Sequence, residues 1–219
     1  MSLKRTFYFA CHLVPRLQGD CMDPFRIVFA ALFTATVVLH CYYLIKGKGK
    51  KKAVIPERTV IAARALFGVM LIIAIELYLF GPHALDRTSF AIPATLRWIG
   101  AALSVLSFVL LCWVHGALGQ SYSPELRIRS EHQFVTWGPY RYVRHPMYST
   151  YLLMAFGMGL LSADWLIGFL GLTMIVALMC LRTPHEEEMM LQAFGESYRR
   201  YVRSTGRFFP RFGTFRRRS

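Results

Sequence analysis

Five apolar runs decide what this chain can fold into, at about 25–45, 60–80, 97–115, 146–162 and 164–182. A bilayer-spanning helix needs roughly 20 apolar residues, with a range of about 17 to 25, and each run lies in that range. The expected fold class is therefore all-α: an integral membrane protein with five transmembrane helices. Only Ser162-Ala163-Asp164 separates the last two runs, which predicts a tight helical hairpin with Asp164 as turn residue and N-cap. Gly157, Gly159, Gly168 and Gly171 permit close helix approach, with packing as their plainest role. A single membrane domain over 1–219 follows, with no internal repeat.

Charge orients these helices. The chain carries 26 Lys+Arg against 12 Asp+Glu, a formal net charge of +14. Such a balance would suit a nucleic-acid partner, but hydrophobic residues make up 55% of the chain and the cations cluster at the ends of apolar runs. That is membrane topology, and no nucleic acid is expected. Lys46, Lys48, Lys50 to Lys52 and Arg58 fill the first loop, and Arg127, Arg129, Arg141 and Arg144 the third. The tail holds Arg199, Arg200, Arg203, Arg207, Arg211 and Arg216 to Arg218. The second loop and the Ser-Ala-Asp turn are nearly free of cations. The positive-inside rule then places the N-terminus outside and the C-terminus in the cytoplasm, in the cell inner membrane if the source is prokaryotic. The short, interrupted apolar run at the N-terminus predicts no cleaved signal peptide. The five cysteines show no CxxC or Cys/His spacing, which argues against structural zinc, and no metal is expected.

Segments 116–145 and 183–219 flank the hairpin, so both should emerge on the cytoplasmic side, close together, and form the pocket. The second is expected to carry a cytoplasmic C-terminal helix, with Thr183 as N-cap, Pro184 at its first position and Glu186 at its third. Chemistry concentrates in Gly138-Pro-Tyr-Arg-Tyr-Val-Arg-His-Pro-Met-Tyr148. Pro146 suits a first helical turn, where its missing N–H would be unpaired anyway. His145 then stands near an N-cap and Tyr148 one turn inside. A helix N-terminus favours an anion, such as the carboxylate of an amino-acid-like cofactor; the plain alternative is an interfacial belt of Tyr and Arg. Arg182 ends the last apolar run at headgroup depth, where a guanidinium can hold a carboxylate or phosphate in two hydrogen bonds. Glu186 is placed to orient it or to accept from a ligand, while Glu187 and Glu188 read as favouring the positive helix end. His40 and His115 read as interfacial, and Glu76 as a snorkelling or paired structural residue.

Taken in order, these residues resemble the isoprenylcysteine carboxyl methyltransferase family of integral membrane enzymes. The resemblance runs from His132-Gln-Phe-Val135 through the Gly138-Pro-Tyr140 turn and Arg144-His-Pro-Met-Tyr148. It continues over Arg182-Thr183, the glutamate run and Phe194-Gly-Glu-Ser-Tyr198-Arg-Arg-Tyr201 to Gly206-Arg-Phe-Phe-Pro210. Residues 1–114 match only as a pattern of spans. The resemblance implies S-adenosylmethionine as methyl donor and a lipid or prenylated amphiphile as acceptor. By position, cofactor contacts fall on Glu125, His132, Gln133, Phe134, Val135, Tyr140, His145, Pro146, Met147 and Tyr148. The acceptor falls to Arg182 and Glu186. Glu125 stands where eukaryotic members tend to carry an amide, and Pro184-His185 interrupts a run more uniformly acidic in them. Five spans match the small prokaryotic members. The implied reaction is carboxyl O-methylation of an isoprenylcysteine-like substrate. The alternatives are N-methylation of a phospholipid amine or S-methylation of a small thiol and, more remotely, a lipid-binding or transport protein without catalysis, or a nicotinamide-dependent reductase.

Overall fold

The computed structural model describes residues 23–46, 58–81, 84–118 and 135–211. Among them there is no strand, and five α-helices carry the architecture: α1 (Pro24–Lys46), α2 (Arg58–Phe80), α3 (Ala94–Leu118), α4 (Pro146–Ser162) and α5 (Trp165–Ser204), with a 3-10 turn over Gly138–Arg141 before α4. Four of the helices, α1, α2, α3 and α5, are long and apolar enough to cross a membrane. The fourth run forms a helix with the bounds expected of it, but at 17 residues it is the shortest of the five. This is a multi-pass membrane protein, and side chains such as Leu66, Val69, Ile72, Val109 and Phe169 point outward from the bundle.

Neighbouring helices run antiparallel. Phe29 of α1 meets Tyr78 of α2 at one end of the bundle, with ring centroids 4.9 Å apart. At the opposite end His40 of α1 bonds the Tyr151 hydroxyl of α4 at 3.1 Å. The tightest pairing is α3 against α4. Apolar surface gives helices little reason to associate in lipid, so close backbone approach and hydrogen bonds must hold them. Here a Cβ on Gly157 would come within 2.5 Å of the Ser104 hydroxyl, and one on Gly100 within 2.7 Å of the Gly157 carbonyl. Ser107 donates to the Thr150 carbonyl at 2.6 Å.

The α4–α5 hairpin closes as its three-residue turn predicts. Ala163 takes the left-handed conformation (φ 54°) and Asp164 caps α5, accepting from the N–H groups of Leu166 and Ile167. The second loop pins this turn: Thr88 Oγ1 donates to Asp164 Oδ2 at 2.7 Å, and Phe90 N–H to the Ala163 carbonyl at 3.0 Å. Gly159 and Gly168 face each other across the hairpin, a Cβ on the first reaching 2.8 Å from the Cα of the second.

Two expectations need correction. The capped helix start at Thr183 is not formed: α5 continues through it, with Pro184 inside the helix. An internal proline loses one hydrogen bond and crowds the carbonyl four residues back, at a cost of about 3 kcal/mol. The helix persists because Thr183 is fully buried and Arg182 pairs with Glu186 across the proline at 2.6 Å. The interruption falls instead at Gly195 (φ 50°, ψ −124°), a conformation open in practice only to glycine. Second, His115 is not interfacial. It is fully buried, its Nδ1 2.9 Å from the Leu111 carbonyl and its ring 4.8 Å from that of Tyr43. Glu76 is exposed on α2 and makes no ion pair among the described residues, which leaves snorkelling of its two expected roles.

Candidate active site

The N-terminus of α4 and the polar end of α5 meet at the same end of the bundle. Pro146 occupies the first helical position of α4 and His145 the N-cap, without a side-chain capping bond. That leaves the imidazole free to face α5, where the apolar stretch has ended at Leu181. His145 Nδ1 lies 3.3 Å from Glu186 Oε2, and Nε2 3.2 Å from Glu187 Oε1. A neutral imidazole has one donor; two carboxylates on its two nitrogens call for the doubly protonated cation. Burial disfavours that charge, but hydrogen bonds and attraction from Glu186 and Glu187 outweigh it and raise the His145 pKa above its ordinary 6.5. Burial likewise works against both carboxylates, yet His145 with Arg182 lowers Glu186, and His145 with Arg144 holds Glu187 down to about 2.

Glu186 is the point of convergence. Arg182 Nε donates to its Oε1 at 2.6 Å, the Tyr148 hydroxyl donates to the same oxygen at 3.3 Å, and His145 holds the other. Glu187 draws a second set: Arg144 Nε at 3.0 Å, His145, and Arg207 Nη2 at 3.0 Å on its other oxygen. Four cations thus face two carboxylates, so the cluster keeps a positive excess suited to an anionic ligand. Arg144 also donates to the carbonyls of Val202 and Thr205 at 3.1 and 2.6 Å. A nearly buried guanidinium spread over three acceptors builds the site and is not available to a ligand.

The expected residues therefore divide. Arg182, Glu186, His145 and Tyr148 come together directly. Pro146 is buried and shapes the turn, Met147 is half-buried behind it, and Tyr140 offers its carbonyl to the Tyr201 hydroxyl at 2.6 Å. Val135 is half-buried at the start of the described segment, and Glu125, His132, Gln133 and Phe134 lie outside the described residues. Two contributors were not assigned to the site from sequence. Glu187, read as serving the helix end, is an ion-pair centre. The strap after α5 brings Arg207 and Phe208 beside His145, the Phe208 ring 5.9 Å from the imidazole. The Arg-Phe-Phe-Pro sequence marked the strap but said nothing of where it packs.

Residues 100–192 match the model of the family described as isoprenylcysteine carboxyl methyltransferase (ICMT). That segment makes up less than half of the chain's 219 residues. Among curated proteins, the chain is similar to a probable protein-S-isoprenylcysteine O-methyltransferase of Oryza sativa subsp. indica, with 28% identity over 109 residues, 49% of this chain and 57% of that protein. It is also 28% identical over 110 residues to protein-S-isoprenylcysteine O-methyltransferase B of Arabidopsis thaliana, covering 48% of this chain and 56% of that protein. A third relative is the cobalt-zinc-cadmium resistance protein CzcN of Cupriavidus metallidurans, 32% identical over 133 residues, 55% of this chain and 56% of that protein. The chain spans little more than half the length of the curated relatives it matches. The solved structure of the eukaryotic intramembrane Ras methyltransferase ICMT superposes with a TM-score of 0.58 and 22% identity, covering 87% of this chain and 69% of that one. At that identity the likeness establishes a shared fold.

Proposed function

We propose that this chain is a member of the ICMT family and an S-adenosylmethionine-dependent methyltransferase acting on a membrane-embedded amphiphile, by carboxyl O-methylation of an isoprenylcysteine-like acceptor. The observation that carries the reading is the convergence of Arg182, His145 and Tyr148 on Glu186 where an apolar helix turns polar. A site there meets a lipid tail from the bilayer and a polar donor from the aqueous side. The residues fit such a donor: the positive excess suits its carboxylate, and the rings of His145, Tyr148 and Phe208 offer apolar faces. S-adenosylmethionine, when bound, supplies a methyl group on a sulfonium, which passes to an acceptor oxygen as the carbon–sulfur bond breaks and its electron pair returns to sulfur.

The chain's own residues act by placement. An ionised carboxylate needs no general base, and in-line transfer depends mainly on position and a dry pocket. In this reading Arg182 orients the acceptor carboxylate, and Glu186, shared with Arg182, keeps the guanidinium from pairing so tightly that the oxygen loses nucleophilicity. His145 and Tyr148, tied to the same Glu186, hold the donor's side. Glu125, His132, Gln133, Phe134, Val135, Tyr140, Pro146 and Met147 complete the donor contacts. An amine acceptor would require a carboxylate ready to take a proton; Glu186 has three donors already, which favours the ester over phospholipid N-methylation. The topology proposed with this function has five spans, α4 included, the N-terminus outside and the polar end of α5 in the cytoplasm.

Radiolabelled methyl transfer to a prenylcysteine analogue and to extracted phospholipids tests the reading. Base-labile label on the analogue is expected. Base-stable label confined to lipids would assign the second activity, and no saturable donor binding would remove both.

A further inference from the structure

The strap over residues 205–211 after α5 lies beyond the match to the family model, which ends at residue 192. Main-chain contacts fix it in place. Arg144 N–H donates to the Gly206 carbonyl at 2.8 Å and His145 N–H to the Arg207 carbonyl at 3.0 Å, and Ser149 Oγ donates to the Phe208 carbonyl at 2.6 Å. The place of Arg207 beside the site is therefore set by its backbone and not by its own ion pair.

That ion pair is the dispensable one. Glu187 already holds Arg144 and His145, whose side chains are 7% and 10% exposed; Arg207 is 41% exposed and reaches the remaining oxygen. A third pair in a partly solvated place contributes little, so this guanidinium exchanges partners at small cost. Arg144 offers no such freedom, being committed to three acceptors. The guanidinium also lies 5.7 Å from the Phe208 ring, which faces His145. A cation over an aromatic wall, in a cluster with positive excess, recognises a planar anion through two parallel hydrogen bonds.

We propose that Arg207 is a ligand-binding residue of this site, trading its contact with Glu187 for the carboxylate of a bound reactant. The inference rests on the methyltransferase reading, in which two reactants carry that group: the amino-acid end of the methyl donor and the acceptor. Glu187 loses nothing essential in the exchange, because Arg144 and His145 remain on it.

The test uses the full chain in detergent, as wild type, Arg207→Ala and Arg207→Lys. Binding of S-adenosylhomocysteine and the KM for a prenylcysteine carboxylic acid are measured on each. Arg207→Ala is expected to weaken one of the two on the order of tenfold, the size of one charge-assisted contact, and the other far less, with Arg207→Lys recovering part. A loss in S-adenosylhomocysteine affinity assigns the donor's carboxylate, and a rise in KM the acceptor's. Unchanged values in both arms, with wild-type binding intact, overturn this inference and leave the methyltransferase reading standing. Loss in both arms accompanied by a lowered thermal midpoint and no rescue by lysine overturns it as well. A wild-type chain that binds no S-adenosylhomocysteine overturns both.

Discussion

At the scale of single residues, the site is a charge lattice whose members hold each other in one protonation state. His145 is its pH-sensitive member. Its pKa is raised in the folded protein, so the stabilisation is fully present below the ordinary 6.5 and is lost as pH rises through the folded value. The thermal midpoint of the wild type should therefore exceed that of His145→Gln at mildly acidic pH, and the gap should narrow on the alkaline side. A gap constant across that range would show that the imidazolium is not what holds the two glutamates. Arg144→Ala should be the more damaging change, because it strands the Val202 and Thr205 carbonyls and removes a nearly buried partner of Glu187. A loss on the order of 3 kcal/mol is expected in denaturant or thermal unfolding, whereas an exposed arginine such as Arg199 should cost almost nothing on truncation.

At the scale of elements, what could be read from the chain depended on whether the information was local. The hairpin was legible because Ser162-Ala163-Asp164 leaves no room for any other connection, and Asp164 has the side chain that a helix start requires. Asp164→Ala should lower stability by about 1–2 kcal/mol through the lost cap, with a further penalty because the Thr88 hydroxyl loses its tie to the hairpin and keeps only the Leu85 carbonyl as acceptor; unfolding of the pair Asp164→Ala and Thr88→Val should show non-additive losses. Pro184 misled for the opposite reason. Its preference for a first helical turn is a local signal, and the surrounding packing overrode it by carrying α5 straight through. The true interruption, Gly195, gave no signal stronger than one glycine among the chain's 16, since a positive φ is set by where the helix must turn back. Gly195→Ala should cost about 1–3 kcal/mol. It should also weaken ligand binding at the site, because the strap that follows would no longer meet residues 143–145. Arg182, Glu186, His145 and Tyr148 were legible as polar residues beside apolar runs. Glu187 was not, since its importance comes from Arg144 and Arg207, 43 and 20 residues away along the chain.

At the scale of the whole molecule, one end of the bundle is fastened and the other is chemical. The fastened end has Arg97 donating to the Leu161 carbonyl at 3.0 Å and pairing with Asp23 at 3.2 Å, besides the Thr88–Asp164 bond. The chemical end hangs from α4, whose 17 residues give a length of about 25 Å at 1.5 Å per residue. The hydrocarbon core of a typical bilayer is about 30 Å thick. With α4 as a span of the proposed topology, and its Ala163 turn tied to the second loop, the shortfall would fall on the His145 end. Hydrophobic mismatch of this kind is relieved by local thinning of the bilayer, at a fraction of a kcal/mol per Å. In the five-span topology proposed above, the charge lattice would sit in a dimple, with acyl chains drawn down around Arg144 and Arg182, and membrane thickness would control the proposed methyl transfer. Methyl transfer in nanodiscs should fall as phospholipid chains are lengthened at constant headgroup, and an equal rate across the series would rule the dimple out.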